Sequence, residues 1–127
     1  MINTNNQQNG TIFESRLKAI LKKNGLNVFL LAIPESADMI ILNGSHRLIE
    51  CKTTHKFLWT VKNKPQHAKL IAYAQEGISV YYAIKFILSH KATIKFFHIL
   101  TSEYPYTMDK GYTLQEFVNH AKLVRYK

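Results

Sequence analysis

The stretch ADMIILNGSHRLIECKT, residues 37–53, decides the fold. Two apolar runs flank Asn43-Gly44-Ser45, and that turn chemistry between β-rich runs predicts a hairpin. Each run carries one acid where an apolar residue is expected: Asp38 in the first, Glu50 in the second. The two-residue period of a strand puts Glu50 and Lys52 on one face. Register decides whether Asp38 joins them. A three-residue loop pairs Leu42 with His46 and sets Asp38 opposite Glu50, with Cβ atoms about 4.5–5.5 Å apart. A two-residue Asn43-Gly44 loop pairs Asp38 with Ile49 and sends the carboxylates to opposite faces.

Outward from the hairpin, Phe13, Leu17, Ile20 and Leu21 recur at helical spacing. They predict a helix over residues 11–24, capped by Thr11 with Glu14 as its capping-box partner and stopped by Gly25. The Asn/Gln-rich residues 1–10 are expected to form a flexible arm, leaving 11–127 as one domain. Residues 27–33 read as a strand stopped by Pro34, and 54–63 as a loop holding Phe57, Leu58 and Trp59. Lys64-Pro65 opens a second helix that ends at Gly77. Residues 79–88 and 93–100 are β-rich, and a last helix is expected over 114–122. The order αβββαββα predicts an α/β fold, a mixed central sheet flanked by helices.

Composition narrows the function. The chain has 127 residues with 17 Lys+Arg against 8 Asp+Glu, a formal net charge of +9. That length supports one hydrophobic core, and that charge favours a polyanion, of which nucleic acid is the usual one. The single cysteine, Cys51, excludes an internal disulfide framework, and the six His show no zinc spacing. No apolar run reaches the ~18 residues of a membrane helix, and the N-terminus lacks the regions of a signal peptide. The expectation is a soluble intracellular protein without membrane partners.

Opposed carboxylates repel, and a divalent cation relieves them; hard oxygen ligands suit Mg²⁺, with Mn²⁺ able to substitute. Such an ion polarises a phosphoryl oxygen and lowers the pKa of a water, while Lys52 beside it offsets phosphate charge or acts on that water. These are the parts needed for phosphodiester hydrolysis.

Asp38 followed by Glu50-x-Lys52 resembles the PD-(D/E)XK nuclease motif, on the element order of the restriction-endonuclease-like core. The fit is closest to the archaeal-type Holliday junction resolvases and their bacterial RecU-type relatives. Gly10-Thr11-Ile12-Phe13-Glu14, Ser36-Ala37-Asp38, Ile49-Glu50-Cys51-Lys52-Thr53, Pro65-Gln66-His67 and the strand 77–86 resemble five family segments in order, over residues 10–100. The domain over 11–127 is accordingly expected to be a single nuclease domain, although the segment after Leu100 matches the family less well. The resemblance implies a magnesium-dependent endonuclease that cuts four-way DNA junctions, with Glu14, Asp38 and Glu50 binding metal. The Cys51 carbonyl is a further candidate ligand, Lys52 acts on the water, and Gln66 supports one or the other. Two symmetric cuts imply a homodimer. No small-molecule cofactor is expected, and the setting is cytoplasmic and DNA-associated. In this sequence the proline is not adjacent to Asp38, and Ser15 rather than a basic residue follows Glu14. Another nuclease of the superfamily (restriction, repair or viral genome processing) shares the same core. A non-catalytic nucleic-acid-binding module on this fold is the alternative outside enzymes.

Glu14 also reads as a capping acid or a partner of Lys18, and Asp38 and Glu50 as structural ion-pair members. Residues 51–75 hold Lys52, Lys56, Lys62, Lys64 and Lys69 and no acid, which is either a solvated face or a phosphate-contacting rim. Arg16 and Ser36 are further candidate DNA contacts. Phe57, Leu58 and Trp59 are too apolar for a free loop, and a dimer interface is favoured over a DNA-facing wedge.

Overall fold

The computed structural model describes residues 4–32 and 37–123, with side chains from Ile12 onward. Helix α1 (Thr4–Lys23) presents Phe13, Leu17 and Leu21 at four-residue spacing, and all three are buried. It ends in a Schellman pair: Gly25 N donates to Lys22 O at 2.9 Å and Leu26 N to Leu21 O at 3.1 Å. Gly25, at φ +90°, supplies the left-handed residue this motif needs.

The remaining elements are β1 (Val28–Leu30), β2 (Met39–Asn43), β3 (Ser45–Thr54), β4 (Leu58–Trp59), α2 (Lys64–Gln75), β5 (Ser79–Leu88), β6 (Lys91–His98), β7 (Tyr106–Thr107), β8 (Tyr112–Thr113) and α3 (Leu114–Lys122). Six strands form one sheet in the order β1-β2-β3-β5-β6-β8, and β4 pairs with β7 in a separate ribbon. Only β3 and β5 run parallel within these pairings, with α2 as their crossover.

Alternation along the strands sorts the core into two layers. Ile49, Tyr81, Ala83 and Phe96 face α1 and α3, where Leu17, Leu21, Phe117 and Val118 cover them. Leu48, Val80, Tyr82, Ile84 and Phe97 face the other way, towards Leu70 and Ala74 of α2. The expected mixed sheet flanked by helices is therefore the fold. Among the described residues no helix is long and apolar enough to cross a membrane.

The hairpin takes the three-residue register, with Leu42 paired to His46 and Met39 to Ile49. Several expectations need correction. Helix α1 begins at Thr4, so residues 4–10 are helical rather than an arm, and Thr11 lies inside the helix where it cannot cap. Once the Phe13–Leu21 segment has nucleated, extending a helix by further turns costs little even for Asn and Gln. The first strand is only Val28–Leu30, and Asp38 sits in a bend just before β2 rather than within a strand. Trp59 is not part of an open loop. It is 7% exposed, pinned by the β4–β7 ribbon and stacked on Tyr106 with centroids 6.1 Å apart.

Candidate active site

Glu50 and Lys52 leave β3 on the α2 side of the sheet, the face shared with Leu48, as the strand period requires. The Lys52 ammonium lies 3.1 Å from Glu50 Oε2 and donates to Gln66 Oε1 at 3.0 Å. Gln66 is buried in the first turn of α2, a turn closed by Asn63, whose Oδ1 accepts from Gln66 N at 3.0 Å. Lysine therefore bridges a strand and a helix.

Asp38 is held from both sides by its backbone. Its N–H donates to Ile49 O at 2.9 Å, and its carbonyl accepts from Leu31 N at 2.8 Å. Its Oδ2 accepts the Cys51 N–H at 2.7 Å. That bond replaces the ladder contact β2 no longer offers where it bends away, and it plants the carboxylate across Glu50.

Glu14 reaches the same place from α1 and hydrogen-bonds Asp38. Burial, then the charge and hydrogen bond of Asp38, raise the Glu14 carboxyl to about 7, against an opposing pull from Lys52. Glu50 is also raised to about 7, by burial first and by Asp38 second, with Lys52 and Gln66 opposing. Asp38 is thus the hinge of the charge cluster, coupled to Glu14 on one side and Glu50 on the other. The Cys51 thiol packs against the α1-side core and is pushed well above its ordinary range, mainly by burial.

The donor set suits a hard divalent cation. Carboxylates from a helix, a bend and a strand are coupled pairwise through Asp38, and Glu50 Oε1 is buried with no hydrogen-bond partner among the described residues. Among those residues no three His, Cys, Asp or Glu side chains stand close enough to form a ready-made cage. Mg²⁺ does not need one, because it usually keeps several waters and takes one or two carboxylates.

Beside the site is an open cleft of about 680 Å³ over the C-terminal ends of β3 and β5, lined by Arg16, Lys52, His55 and Lys85 among others. Arg16, a candidate DNA contact in the sequence, lines this cleft. Lys85 was missed. Its signal was a lone cation in an apolar strand, and in the fold it pairs with Thr53 and lies over the Phe13 ring at 5.6 Å. Lys56, Lys62, Lys64 and Lys69 are exposed around the following loop and α2, with Lys62 Nζ donating to Thr60 Oγ1 at 3.3 Å. Ser36 lies outside the described residues.

Comparison with known proteins bears on what this site belongs to. The family model described as archaeal Holliday junction resolvase (Hjc) matches residues 5–126. Among solved structures, Hjc of Archaeoglobus fulgidus, described as a Holliday junction resolvase from an archaeal hyperthermophile, superposes with a TM-score of 0.70. The match is at 22% identity and covers 94% of this chain and 99% of that one, a likeness of fold. The comparison with curated proteins gave no match. With the family model spanning nearly its full length, the chain belongs to the archaeal Holliday junction resolvase family.

Proposed function

We propose that this chain, a nuclease of the Holliday junction resolvase family, cuts four-way DNA junctions by divalent-cation-dependent hydrolysis at Glu14, Asp38, Glu50 and Lys52. The observation that carries the reading is the geometry of the cluster: the Asp38 carboxylate is anchored to Cys51 N at 2.7 Å on the strand bearing Glu50, whose Oε2 lies 3.1 Å from a Lys52 ammonium that Gln66 Oε1 also holds at 3.0 Å.

Glu14, Asp38 and Glu50 would hold a Mg²⁺ ion, for which Mn²⁺ would substitute, and the Cys51 carbonyl is a further candidate donor. When bound, that ion supplies Lewis-acid stabilisation of the phosphate and a more acidic water. Lys52 is placed to orient the attacking water and to offset the charge growing on the phosphate oxygens. Gln66 fixes the ammonium from the far side. Arg16, Lys85 and the exposed lysines 56, 62, 64 and 69 would contact backbone phosphates, a shape-reading and salt-sensitive mode.

Two symmetric cuts need two such sites, which supports a homodimer. Trp59 is buried, but Phe57 and Leu58 beside it are 45% and 39% exposed and are one candidate pairing surface. Phe29 and Leu42 are another, 53% and 38% exposed on the α2 side of β1 and β2, whereas α2 itself packs on β5.

A labelled four-way junction assayed beside linear duplex, flap and single strand, with Mg²⁺ and with EDTA, tests the reading. Paired symmetric nicks confined to the junction and abolished by EDTA are expected. Equal cutting of plain duplex overturns the junction claim, and binding without cleavage in any divalent metal overturns the enzyme claim.

A further inference from the structure

Next to the Lys52–Gln66 contact, a further hydrogen bond joins the sheet to α2. Tyr82 neighbours Glu50 across the parallel β3–β5 ladder, and its hydroxyl lies 2.8 Å from His67 Nδ1. His67 follows Gln66 in the first turn of α2, and its ring lies nearly parallel to that of Tyr82, with centroids 5.8 Å apart. The Tyr82 ring cannot drift. It is 1% exposed and wedged against Trp59 and Tyr106, at centroid distances of 4.9 and 5.6 Å.

Gln66 also hydrogen-bonds Glu50, and the bonds that Asn63 makes in that turn are local. Asn63 accepts from Gln66 N and from His67 N, which shapes the helix end without tying it to the sheet. Further along, α2 rests on β5 through Leu70 and Ala74, and apolar packing of this kind has no preferred direction. A hydrogen bond does have one. Burial holds the Tyr82 hydroxyl protonated and pushes the His67 imidazole below its ordinary range. The bond therefore joins a neutral hydroxyl and a neutral ring, with the imidazole tautomer setting which of them donates.

We infer that Tyr82 and His67 are a positioning pair, locking the first turn of α2 onto β5 so that Gln66 holds the Lys52 ammonium in place for the reaction. The inference rests on the proposed roles of Lys52 and Gln66. Neither Tyr82 nor His67 needs to touch DNA. Both act through the residue beside them: Gln66 precedes His67, and Glu50 neighbours Tyr82.

The test uses the full chain with Tyr82→Phe, His67→Ala, the double variant, and His67→Asn, whose side-chain amide can donate or accept in place of Nδ1. Displacing a reacting group by about 1 Å costs up to about 10²-fold in rate. Tyr82→Phe and His67→Ala are each expected to lower kcat on a four-way junction by about tenfold or more, with KM within about twofold. The double variant should be no worse than either single one, and His67→Asn should recover most of the loss. The side-chain ¹⁵N signal of Lys52 in metal-free protein should shift in Tyr82→Phe and not in His67→Asn. Multiplying losses, a parallel change in KM, or a wild-type rate in Tyr82→Phe overturns the pair. If the wild-type chain cuts no junction, the nuclease reading fails by itself. An unmoved Lys52 signal in Tyr82→Phe still overturns the positioning role independently.

Discussion

The carboxylate of Asp38 accepts the backbone N–H of Cys51 at 2.7 Å, and this side-chain bond, beside the Asp38 N–H donated to Ile49 O, fixes the acid to the strand that carries Glu50 and Lys52. Asp38 therefore has two separable jobs, satisfying a backbone donor and loading the site with charge. Asp38→Asn keeps an acceptor for Cys51 N and should leave stability nearly unchanged. Asp38→Ala orphans that N–H and should cost about 1–2 kcal/mol. Both should abolish cleavage. Urea denaturation of the two variants checks the difference, and equal stability would show the bond to be incidental.

The raised carboxyls make metal-free stability depend on pH with a definite sign. Glu50 sits near 4.5 in the unfolded chain and at about 7 in the fold, so the native state binds more protons between those values. Its contribution is fully present below pH 4.5 and is lost as pH rises through 7. The loss is on the order of 3 kcal/mol, at 1.36 kcal/mol per pKa unit. Glu14 acts in the same direction. In EDTA the midpoint of unfolding of the wild type should fall between pH 5 and 7.5 relative to Glu50→Gln. Excess Mg²⁺ or Mn²⁺ should flatten that difference by holding the ionised form. A difference that grows with pH in the wild type's favour would reverse the assignment.

Trp59 and Phe57, two residues apart, should behave as different kinds of residue. Trp59 is packed on Tyr82 and Tyr106, so Trp59→Ala should destabilise by about 3–5 kcal/mol. Phe57 is 45% exposed, and Phe57→Ala should stay within about 0.5 kcal/mol. Thermal unfolding of both variants decides it.

That contrast marks how far the sequence is legible. Signals that act over a few residues read correctly: residues 43–45 turn a hairpin, Ser79–Leu88 is a strand and Leu114–Lys122 a helix, while the hairpin register, open between two loop lengths in the sequence, is the three-residue one. Gly25 and Gly77 end their helices as expected, each at positive φ. The convergence of Asp38, Glu50, Lys52 and Gln66 was also legible, because strand period and one hairpin register place three of them. Trp59 was not, since it is held by Tyr106, a partner far away in sequence in a segment without a strong pattern of its own. The His67–Tyr82 bond and the cleft position of Lys85 depend likewise on how α2 and β5 meet, and no local pattern encodes that.

If the exposed lysines contact phosphates, removing one changes the salt response rather than the chemistry. Lys56→Ala and Lys62→Ala should each lower the slope of log affinity against log salt for a junction by about 1. The turnover at saturating DNA should not change. Unchanged slopes would return these side chains to an ordinary solvated face.

The most direct measurement compares wild type and Glu50→Gln on one labelled four-way junction, scoring cleavage in Mg²⁺ and binding by gel shift in the same preparation. The amide keeps the shape of the buried carboxyl and removes its charge. Cleavage should fall by roughly 10²–10⁴-fold, while junction affinity should stay within about threefold and the protein should remain folded. A Glu50→Gln chain that still cuts at a rate within tenfold of wild type would contradict the carboxylate site, and with it the account of how this protein hydrolyses DNA.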